Sequence, residues 1–385
     1  MNNSDIPLSL YIHVPWCVRK CPYCDFNSHQ VRDDIPEDPY VDVLIEDLKV
    51  EVAQSGGRPI HSIFIGGGTP SLFTPKAYER ILGAVRSEFE LESGAEVTLE
   101  ANPGTFERER FQGYREAGIN RLSIGVQSFN NDSLEALGRI HNGDEAIAAA
   151  EAARSIFDRF NLDLMHGLPN QTPQLAVADL EQALALNPDQ ISWYQLTLEP
   201  NTEFAARPPR LPVEESLWMI QEAGHALLEA QGYRQYEISA FAKAGGEGRH
   251  NLNYWRFGDY IGIGAGAHAK LSHWQDEQLV IQRRHKQRQP KAYMQAQSRI
   301  AGEALIATED RAFEFMLNAL RLTDGFELDL FLQRTGLTVA DIEPQLLLAE
   351  RKGLLCRTTQ AHGTQIKPTN EGRLFLNDLL ELFLD

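Results

Sequence analysis

The sequence is short of cysteine, of positive charge and of long hydrophobic runs. Its 385 residues include 4 cysteines, and 36 Lys and Arg stand against 54 Asp and Glu, a formal net charge of −18. Such an acidic surface repels phosphate, so the composition argues against general nucleic-acid binding. No apolar run approaches the roughly 18 residues of a membrane-spanning helix. We therefore expect an ordinary globular chain without a transmembrane segment.

The N-terminal residues also lack the features of a secretory signal. The segment MNNSDIPLSLYIHVP has no basic n-region and no long apolar h-region. We therefore expect a cytoplasmic protein, whose thiols stay reduced. In that compartment, a group of cysteines favours metal or redox chemistry over disulfide bonds.

Three of the four cysteines lie together near the N-terminus. Cys17, Cys21 and Cys24 have the spacing C-x3-C-x2-C within YIHVPWCVRKCPYCDF, and no fourth cysteine is near. Three thiolates can hold a cubane [4Fe–4S] cluster and leave its fourth iron without a protein ligand. That iron could chelate a small molecule through an amine and a carboxylate. We therefore interpret the loop as an iron–sulfur site with an open position.

The residues alone leave open a zinc site at the clustered cysteines and the role of the fourth cysteine. His13 or His29 would complete a Cys3His zinc site, since structural zinc usually takes four ligands. Cys356, the remaining thiol, lies in the apolar segment GLLCRTT. We expect it to be buried and to have a packing role, because free cysteine behaves as a small hydrophobe.

Six short β-rich runs alternate with helical segments over the first half of the chain. Plausible helix N-caps are Thr74, before Pro75, and Asn142 or Asp144. This alternation predicts a parallel α/β sheet with right-handed crossovers, either a partial (β/α)6 barrel or a doubly wound sheet. The runs span residues 8–14, 61–67, 96–103, 121–128, 161–169 and 190–200.

Polar residues and glycines collect at the C-terminal ends of these runs, where parallel sheets bind ligands. The turn GGGTP, residues 66–70, follows the second run and offers N–H donors with close backbone approach. Glu100 and Gln127 end the third and fourth runs, and Asp163 lies in the fifth. Arg139 follows on a predicted helix, and its guanidinium suits a carboxylate. These residues predict one ligand site at a single edge of the sheet.

The cysteine spacing and the glycine turn resemble those of the radical S-adenosylmethionine (SAM) enzymes. The resemblance implies a partial (β/α)6 TIM-like barrel in which the three clustered cysteines hold a [4Fe–4S] cluster. It also implies that SAM chelates the open iron and that the glycine turn binds the SAM amino group. The SAM contacts implied in this way are Tyr11, Tyr23, Gly67, Gly68, Thr69, Glu100, Gln127, Arg139 and Asp163.

Four segments narrow the resemblance to one group of that family. YIHVPWC, GGGTPSL, RLSIGVQSF and DLMHGLPNQT resemble the oxygen-independent coproporphyrinogen III oxidase group, over about residues 8–385. The oxidases proper carry a fourth cysteine, in the pattern C-x3-C-x2-C-x-C, and a longer N-terminal arm. Here Phe26 occupies the place of that cysteine. An oxidase that uses SAM radicals is therefore the alternative function rather than the first.

The segment RHNLNYW, residues 249–255, matches the HNxxYW motif of the haem chaperone branch of that group. The resemblance implies a protein that binds haem and passes it to haem proteins, with respiratory enzymes as suggested acceptors. His250 is the expected haem ligand, because neutral imidazole is a common donor to haem iron. Tyr254 and Trp255 would pack against the macrocycle. His268, in YIGIGAGAHAKL, is a rival ligand.

The last part of the chain contains a basic run followed by helical segments. The run RRHKQRQPK, residues 283–291, predicts a solvated linker, with haem propionates or anionic lipid heads at a membrane surface as alternative contacts. Helices and a hairpin at His362–Gly363 predict a small winged-helix-like α+β domain without a basic recognition helix for DNA. We therefore divide the chain into a radical SAM barrel (1–245), an HNxxYW-containing segment and linker (246–298) and a C-terminal domain (299–385).

Overall fold

The computed structural model describes residues 6–32, 34–105, 107–275, 278–361 and 363–384. None of the helices in these ranges has the length and apolarity needed to cross a bilayer. The strands are β1 (Leu8–Val14), β2 (Trp16–Cys17), β3 (His29–Gln30), β4 (Ile60–Gly67), β5 (Leu91–Ala101), β6 (Arg121–Gln127), β7 (Arg159–His166), β8 (Gln190–Gln195), β9 (Arg234–Glu237), β10 (Ala240–Ala242), β11 (Asp259–Ile263), β12 (His268–Gln275), β13 (Gln278–Lys286), β14 (Ile300–Leu305), β15 (Phe326–Glu327), β16 (Leu355–Gln360) and β17 (Gly363–Pro368). The helices are α1 (Glu37–Gln54), α2 (Pro75–Glu88), α3 (Arg108–Ala117), α4 (Asn131–Ala136), α5 (Gly143–Ile156), α6 (Pro173–Ala185), α7 (Glu203–Ala206), α8 (Glu214–Ala230), α9 (Arg249–Trp255), α10 (Pro290–Gln295), α11 (Arg311–Ala319), α12 (Leu328–Thr335), α13 (Glu343–Arg351), α14 (Asn370–Leu374) and α15 (Leu376–Glu381).

Six parallel strands form the centre of the molecule. β1, β4, β5, β6, β7 and β8 are neighbours in that order, and helices connect consecutive strands along the chain. Thr74 and Asn142 cap α2 and α5, where their side chains accept hydrogen bonds from the backbone N–H groups of Ala77 and Glu145. The expected partial (β/α)6 barrel is therefore confirmed, together with both helix starts.

The interior of this barrel is polar. Side chains alternate along each strand between the helix-covered face and the inside. The helix-covered face is aliphatic, and Ile65 on it is fully buried. On the inside, Ser9 Oγ lies 2.8 Å from Ser62 Oγ, and Asn161 donates to Ser123 Oγ at 2.8 Å. The strands thus enclose a hydrogen-bonded polar lumen rather than a second apolar core.

The sheet continues beyond both edges of the barrel. β11 joins β1 in parallel, β12 to β14 follow in antiparallel order, and β10 and β9 extend the edge at β8. α9 carries the HNxxYW motif. Glu96 of β5 accepts the backbone N–H groups of Arg249 and His250 at 3.0 and 3.4 Å. The motif helix therefore begins at the barrel strands, on the side of the lumen where β4 and β5 start.

The basic run at 283–291 is not the solvated linker that we expected. Arg284 and Lys286 lie on β13 and are buried. Lys286 Nζ lies 2.7 Å from Asp47 Oδ1 and 2.7 Å from Glu51 Oε1, both on α1. A buried ammonium is tolerated where carboxylates surround it, so the run fastens β13 to the first barrel helix. The three segment boundaries proposed from the sequence stay a prediction.

The C-terminal unit is the expected small α+β module. Helices α11 to α15 accompany a three-stranded sheet in the order β15, β17, β16, over an apolar core that includes Phe315 and Phe331. Cys356 is exposed rather than buried as we expected, because Leu355 faces the core and the next side chain on β16 faces the solvent. The predicted hairpin is formed by β16 and β17, and its residue His362 lies outside the described residues.

Candidate cofactor site

The three clustered cysteines lie on the loop that follows β1. β2 and β3 pair in parallel, with Trp16 opposite His29, and close the loop at its base. The Asn27 side-chain amide donates to the carbonyl groups of Ala265 and Arg288, at 2.9 Å each. These contacts anchor the loop to the chain on either side of β12 and β13, so the thiols are presented from a fixed backbone.

The three clustered thiols differ in burial. Cys17 is buried, whereas Cys21 and Cys24 are partly exposed. Burial raises the pKa of the Cys17 and Cys24 thiols. In the described part of the chain, no three His, Cys, Asp or Glu side chains converge on the position of a single metal ion. A cubane needs no such convergence, because each thiolate binds a different iron. The lack of such convergence therefore does not argue against a cluster.

The two histidines that could complete a Cys3His zinc site differ in their hydrogen bonding. Both ring nitrogens of His13 are engaged, Nδ1 at 2.9 Å from the Tyr11 hydroxyl and Nε2 at 2.9 Å from the Asn27 carbonyl oxygen. Burial lowers the pKa of His13 to about 4, so this ring is neutral at pH 7. His29 Nε2 is buried and has no hydrogen-bond partner among the described residues. His13 thus joins β1 to the cluster loop, and its nitrogens are not free for a metal.

The glycine turn after β4 lies directly against the start of the cluster loop. The N–H groups of Gly68 and Thr69 donate to the carbonyl groups of Val14 and Trp16, at 2.8 and 2.7 Å. A Cβ on Gly68 would lie 2.5 Å from the Trp16 carbonyl oxygen, closer than any real contact. Gly67 adopts a φ of +122°, which an L side chain rarely tolerates. Glycine is therefore required at position 68 by the approach of the two backbones and at position 67 by its φ.

Two carboxylates face the lumen beside this turn. Glu100 Oε2 accepts the Gly67 N–H at 3.1 Å, and Asp163 accepts from Ser123 Oγ at 2.9 Å and from Asn161 Nδ2 at 2.7 Å. Burial, and then the charge of Asp163, raise the pKa of Glu100 to about 8. Burial also raises the pKa of Asp163. A cationic ligand beside them, such as a sulfonium or an ammonium group, would favour the ionised forms and lower both pKa values.

Arg139 reaches the cluster loop from the segment after α4, not from a helix as we predicted. α4 ends at Ala136, and Gly138 then turns the chain with a φ of +68° and packs against Pro22 of the cluster loop. Arg139 Nη2 donates to the Gly125 carbonyl at 2.6 Å. Its Nε is buried without a partner among the described residues. That N–H remains available to an anionic group, such as the carboxylate of SAM.

Gln127 and Tyr23 complete the sequence-predicted set at the same edge. Gln127 ends β6 with a φ of +68°, uncommon for a residue with a side chain, and its Oε1 accepts the Tyr194 hydroxyl at 2.8 Å. Tyr23 packs against Phe204 with ring centroids 6.3 Å apart, and burial raises its pKa. The residues that we assigned to SAM therefore lie on neighbouring strands and on the turns and loops that follow them, and their role in SAM binding stays a prediction.

A cavity of about 630 Å³ opens beside the glycine turn. Volumes in this range are typical of cofactor and ligand sites. Polar and aromatic residues from four elements, together with Gly67, form its inner wall, and exposed side chains form its rim. The inner wall includes Tyr11, Gly67, Glu100 and Tyr254, and the rim includes Phe26, His268, His285 and Arg288.

His250 lies behind Tyr254 and does not line this cavity. It is 2% exposed, with Nδ1 at 3.1 Å from Ser62 Oγ and Nε2 at 3.2 Å from the Tyr254 hydroxyl. Burial lowers the pKa of His250 to about 3, so the ring is neutral. The Trp255 ring lies 4.3 Å from the Arg321 guanidinium carbon, against the C-terminal unit. The role of His250 as a haem ligand stays a prediction, and it would require the Tyr254 contact to break.

Two rim residues had no separate role in the sequence analysis. His285 is the cross-strand partner of His268, and their rings stack with centroids 5.6 Å apart. Arg288 follows shortly after on the same basic run. The register between β12 and β13 brings these residues to the same rim as His268. Periodicity in the sequence alone does not fix that register.

Two family models match the chain. Residues 11–183 match the Radical SAM superfamily, and residues 306–375 match the HemN C-terminal domain. The first range contains the clustered cysteines and the glycine turn, and the second lies within the C-terminal unit.

Similarity to individual proteins extends over the full chain. It is 52% identical over 379 residues to "Heme chaperone HemW" of Escherichia coli (strain K12), with 98% of both chains covered. It is 51% identical over 383 residues to the protein of the same name in Haemophilus influenzae, again with 98% of both chains covered. Among solved structures, the Escherichia coli coproporphyrinogen III oxidase HemN, a radical SAM enzyme, matches with a TM-score of 0.80 and 25% identity, covering 98% of this chain and 90% of that one.

Proposed function

Because this chain belongs to the HemW family of heme chaperones within the radical SAM superfamily, we propose that it binds haem and carries it to acceptor haem proteins. The observation that carries the proposal is the 52% identity, over 98% of both chains, to the Escherichia coli relative of that name. The cavity of about 630 Å³ opens beside the loop that carries the clustered cysteines. We assign its outer part, at the rim, to haem and leave its inner part, at the glycine turn, to SAM. We further propose a cytoplasmic location and respiratory haem proteins as acceptors. We assign contact with anionic lipid head groups to Arg288 and Lys291, the exposed cations of the basic run.

We also propose that the three clustered thiols hold a [4Fe–4S] cluster and that SAM lies against the glycine turn. When bound, the cluster supplies an open iron to the amino and carboxylate groups of SAM. The chain itself supplies the surroundings of that ligand. Glu100 and Asp163 supply two buried carboxyl groups whose ionised forms a nearby sulfonium would favour, and Arg139 keeps one buried N–H for a carboxylate.

The second candidate is an oxygen-independent coproporphyrinogen III oxidase. Its support is the match to the oxidase structure, with a TM-score of 0.80. Against it stands Phe26, which is 61% exposed at the position where the oxidase pattern has its fourth cysteine. Incubation with SAM, a reductant and coproporphyrinogen should therefore yield no protoporphyrinogen, and clear turnover would favour the oxidase.

Haem titration of the purified full-length protein tests the first candidate. We expect a saturable shift of the Soret band at one haem per chain. Haem should then pass from the loaded protein to a haem-free acceptor such as apomyoglobin, whose own Soret band would rise. A chain that leaves the haem spectrum unchanged, or that never releases its haem, would contradict the proposal.

A further inference from the structure

We propose that His268, at the rim of the cavity, is the side chain that ligates the haem iron, in place of His250 behind the cavity wall. The inference rests on the proposed haem binding and assigns its ligand. It depends on three features of the structure, which are the accessibility of the two imidazoles, the packing of the histidine pair and the surroundings of the rim.

His250 does not present a free nitrogen to the cavity. A haem ligand must offer an imidazole lone pair to the iron. Both nitrogens of His250 are engaged, at 3.1 Å from Ser62 Oγ and at 3.2 Å from the Tyr254 hydroxyl, and the side chain is 2% exposed. Ligation through His250 Nε2 would require Tyr254 to move out of the cavity wall and would break this contact.

The imidazole of His268, unlike that of His250, is accessible from the cavity. It is exposed and lines the cavity, and no hydrogen bond to its ring occurs among the described residues. Its ring stacks on that of His285 at 5.6 Å between centroids and 27° between planes. His285 in turn packs over Gly302, where a Cβ would lie 2.3 Å from its Cε1. We therefore assign the iron to His268, with His285 as the residue that orients its ring.

The surroundings of His268 suit the rest of a haem. The macrocycle is flat and apolar, and it carries two propionate carboxylates. Phe26 is 61% exposed at the same rim, and the Tyr254 and Tyr260 rings line the cavity below it. Together these rings offer flat apolar surface on which a macrocycle could stack. Arg288 is exposed at the rim, has no ion pair among the described residues, and offers a guanidinium fork for a propionate.

A haem titration of four full-length variants tests the assignment. These are His268→Ala, His268→Gly, His250→Ala and His273→Ala. His273 is a matched control, because it is exposed on the same strand but alternates to the opposite face of the sheet. We expect His268→Ala to weaken haem affinity by about tenfold or more and to shift the Soret band. His273→Ala should behave as the unsubstituted protein.

Rescue by free imidazole distinguishes a lost iron ligand from a structural defect, because imidazole can replace the ligand but cannot repair the fold. Added to His268→Gly, it should restore the Soret position by taking the vacated place on the iron. If the unsubstituted chain binds haem and His268→Ala binds it equally well with an unchanged spectrum, the assignment is wrong while the proposed function stands. A loss in His268→Gly that imidazole does not repair also overturns the assignment. If the unsubstituted chain binds no haem, the proposed function itself fails.

Discussion

The Tyr254 hydroxyl lies 3.2 Å from His250 Nε2, and of these two side chains only Tyr254 lines the cavity. They are four positions apart on α9, so they share one face of the helix. Ser62 of β4 contacts the other nitrogen of His250 at 3.1 Å. The HNxxYW helix therefore positions an aromatic wall of the cavity through a chain of hydrogen bonds that begins inside the barrel.

Removal of the Tyr254 hydroxyl should destabilise the fold. Tyr254→Phe leaves His250 Nε2 buried without its partner, which costs about 1–3 kcal/mol for a buried polar group. Urea unfolding of the purified protein measures this loss. Tyr260→Phe is the matched control, because Tyr260 lines the same cavity and its hydroxyl has no hydrogen bond among the described residues. Equal stabilities of the two variants would show that the His250 contact contributes nothing.

Loss of the clustered thiols should abolish the iron–sulfur cluster. In anaerobically reconstituted protein, we expect a broad visible absorption band that disappears when Cys17, Cys21 and Cys24 are all replaced by serine, because serine is a poor ligand for iron in such clusters. Cys356→Ser serves as the control, since this thiol is exposed on the C-terminal sheet. A cluster that survives the triple substitution would rule out the assignment.

Gly68→Ala should disturb the cluster loop without a change of charge. Its Cβ would meet the Trp16 carbonyl oxygen at 2.5 Å, so the backbone of the loop must shift. We expect a stability loss of about 1–3 kcal/mol and lower iron content after reconstitution. Gly83→Ala, inside α2 with open space around it, should instead gain about 1 kcal/mol from helix propensity. Full iron content in Gly68→Ala would contradict the close packing of the two turns.

The raised pKa of Glu100 should appear in the pH dependence of stability. Burial raises this pKa from 4.5 to about 8, so the folded chain holds the proton more tightly than the unfolded chain. The resulting stabilisation is present below about pH 4.5 and is lost as the pH rises through about 8. Glu100→Gln cannot ionise, so at pH 8 it should be more stable than the unsubstituted protein by about 1–3 kcal/mol, after allowance for solvent screening.

Urea unfolding of cluster-free protein at pH 5 and pH 8 measures this difference. The gap between Glu100→Gln and the unsubstituted chain should widen from the first pH to the second. Glu181→Gln, an exposed carboxyl group on α6, should show no such widening. A constant gap would mean that Glu100 ionises as freely in the fold as in the unfolded chain.

The parts of the fold that depend on local patterns could be predicted from the sequence. Strand alternation and the caps at Thr74 and Asn142 gave the barrel strands and two helix starts. Tertiary contacts decided the rest. Arg139 lies outside the helix that we predicted for it, because Gly138 turns the chain toward Pro22. Lys286 of the basic run proved buried because carboxylates far away in the sequence surround it, a pairing that composition does not reveal.

The candidate site was predictable where residue type alone carries the chemistry. The clustered cysteines and the glycine turn are such cases, because the residue types and their spacing are both visible in the sequence. The rim of the cavity was harder, since it depends on which residues of β12 and β13 face each other. Likewise, the burial of His250 follows from its contacts with Ser62 and Tyr254, which no motif records.

Anomalous diffraction at the iron edge, from crystals of reconstituted and haem-loaded protein, tests the account most directly. We predict two separate iron sites in one chain. One is a four-iron peak at Cys17, Cys21 and Cys24, with no fourth protein ligand, and the other is a single iron in the cavity beside His268. A lone metal with four protein ligands at the cysteines, or a haem iron outside the cavity, would contradict the account.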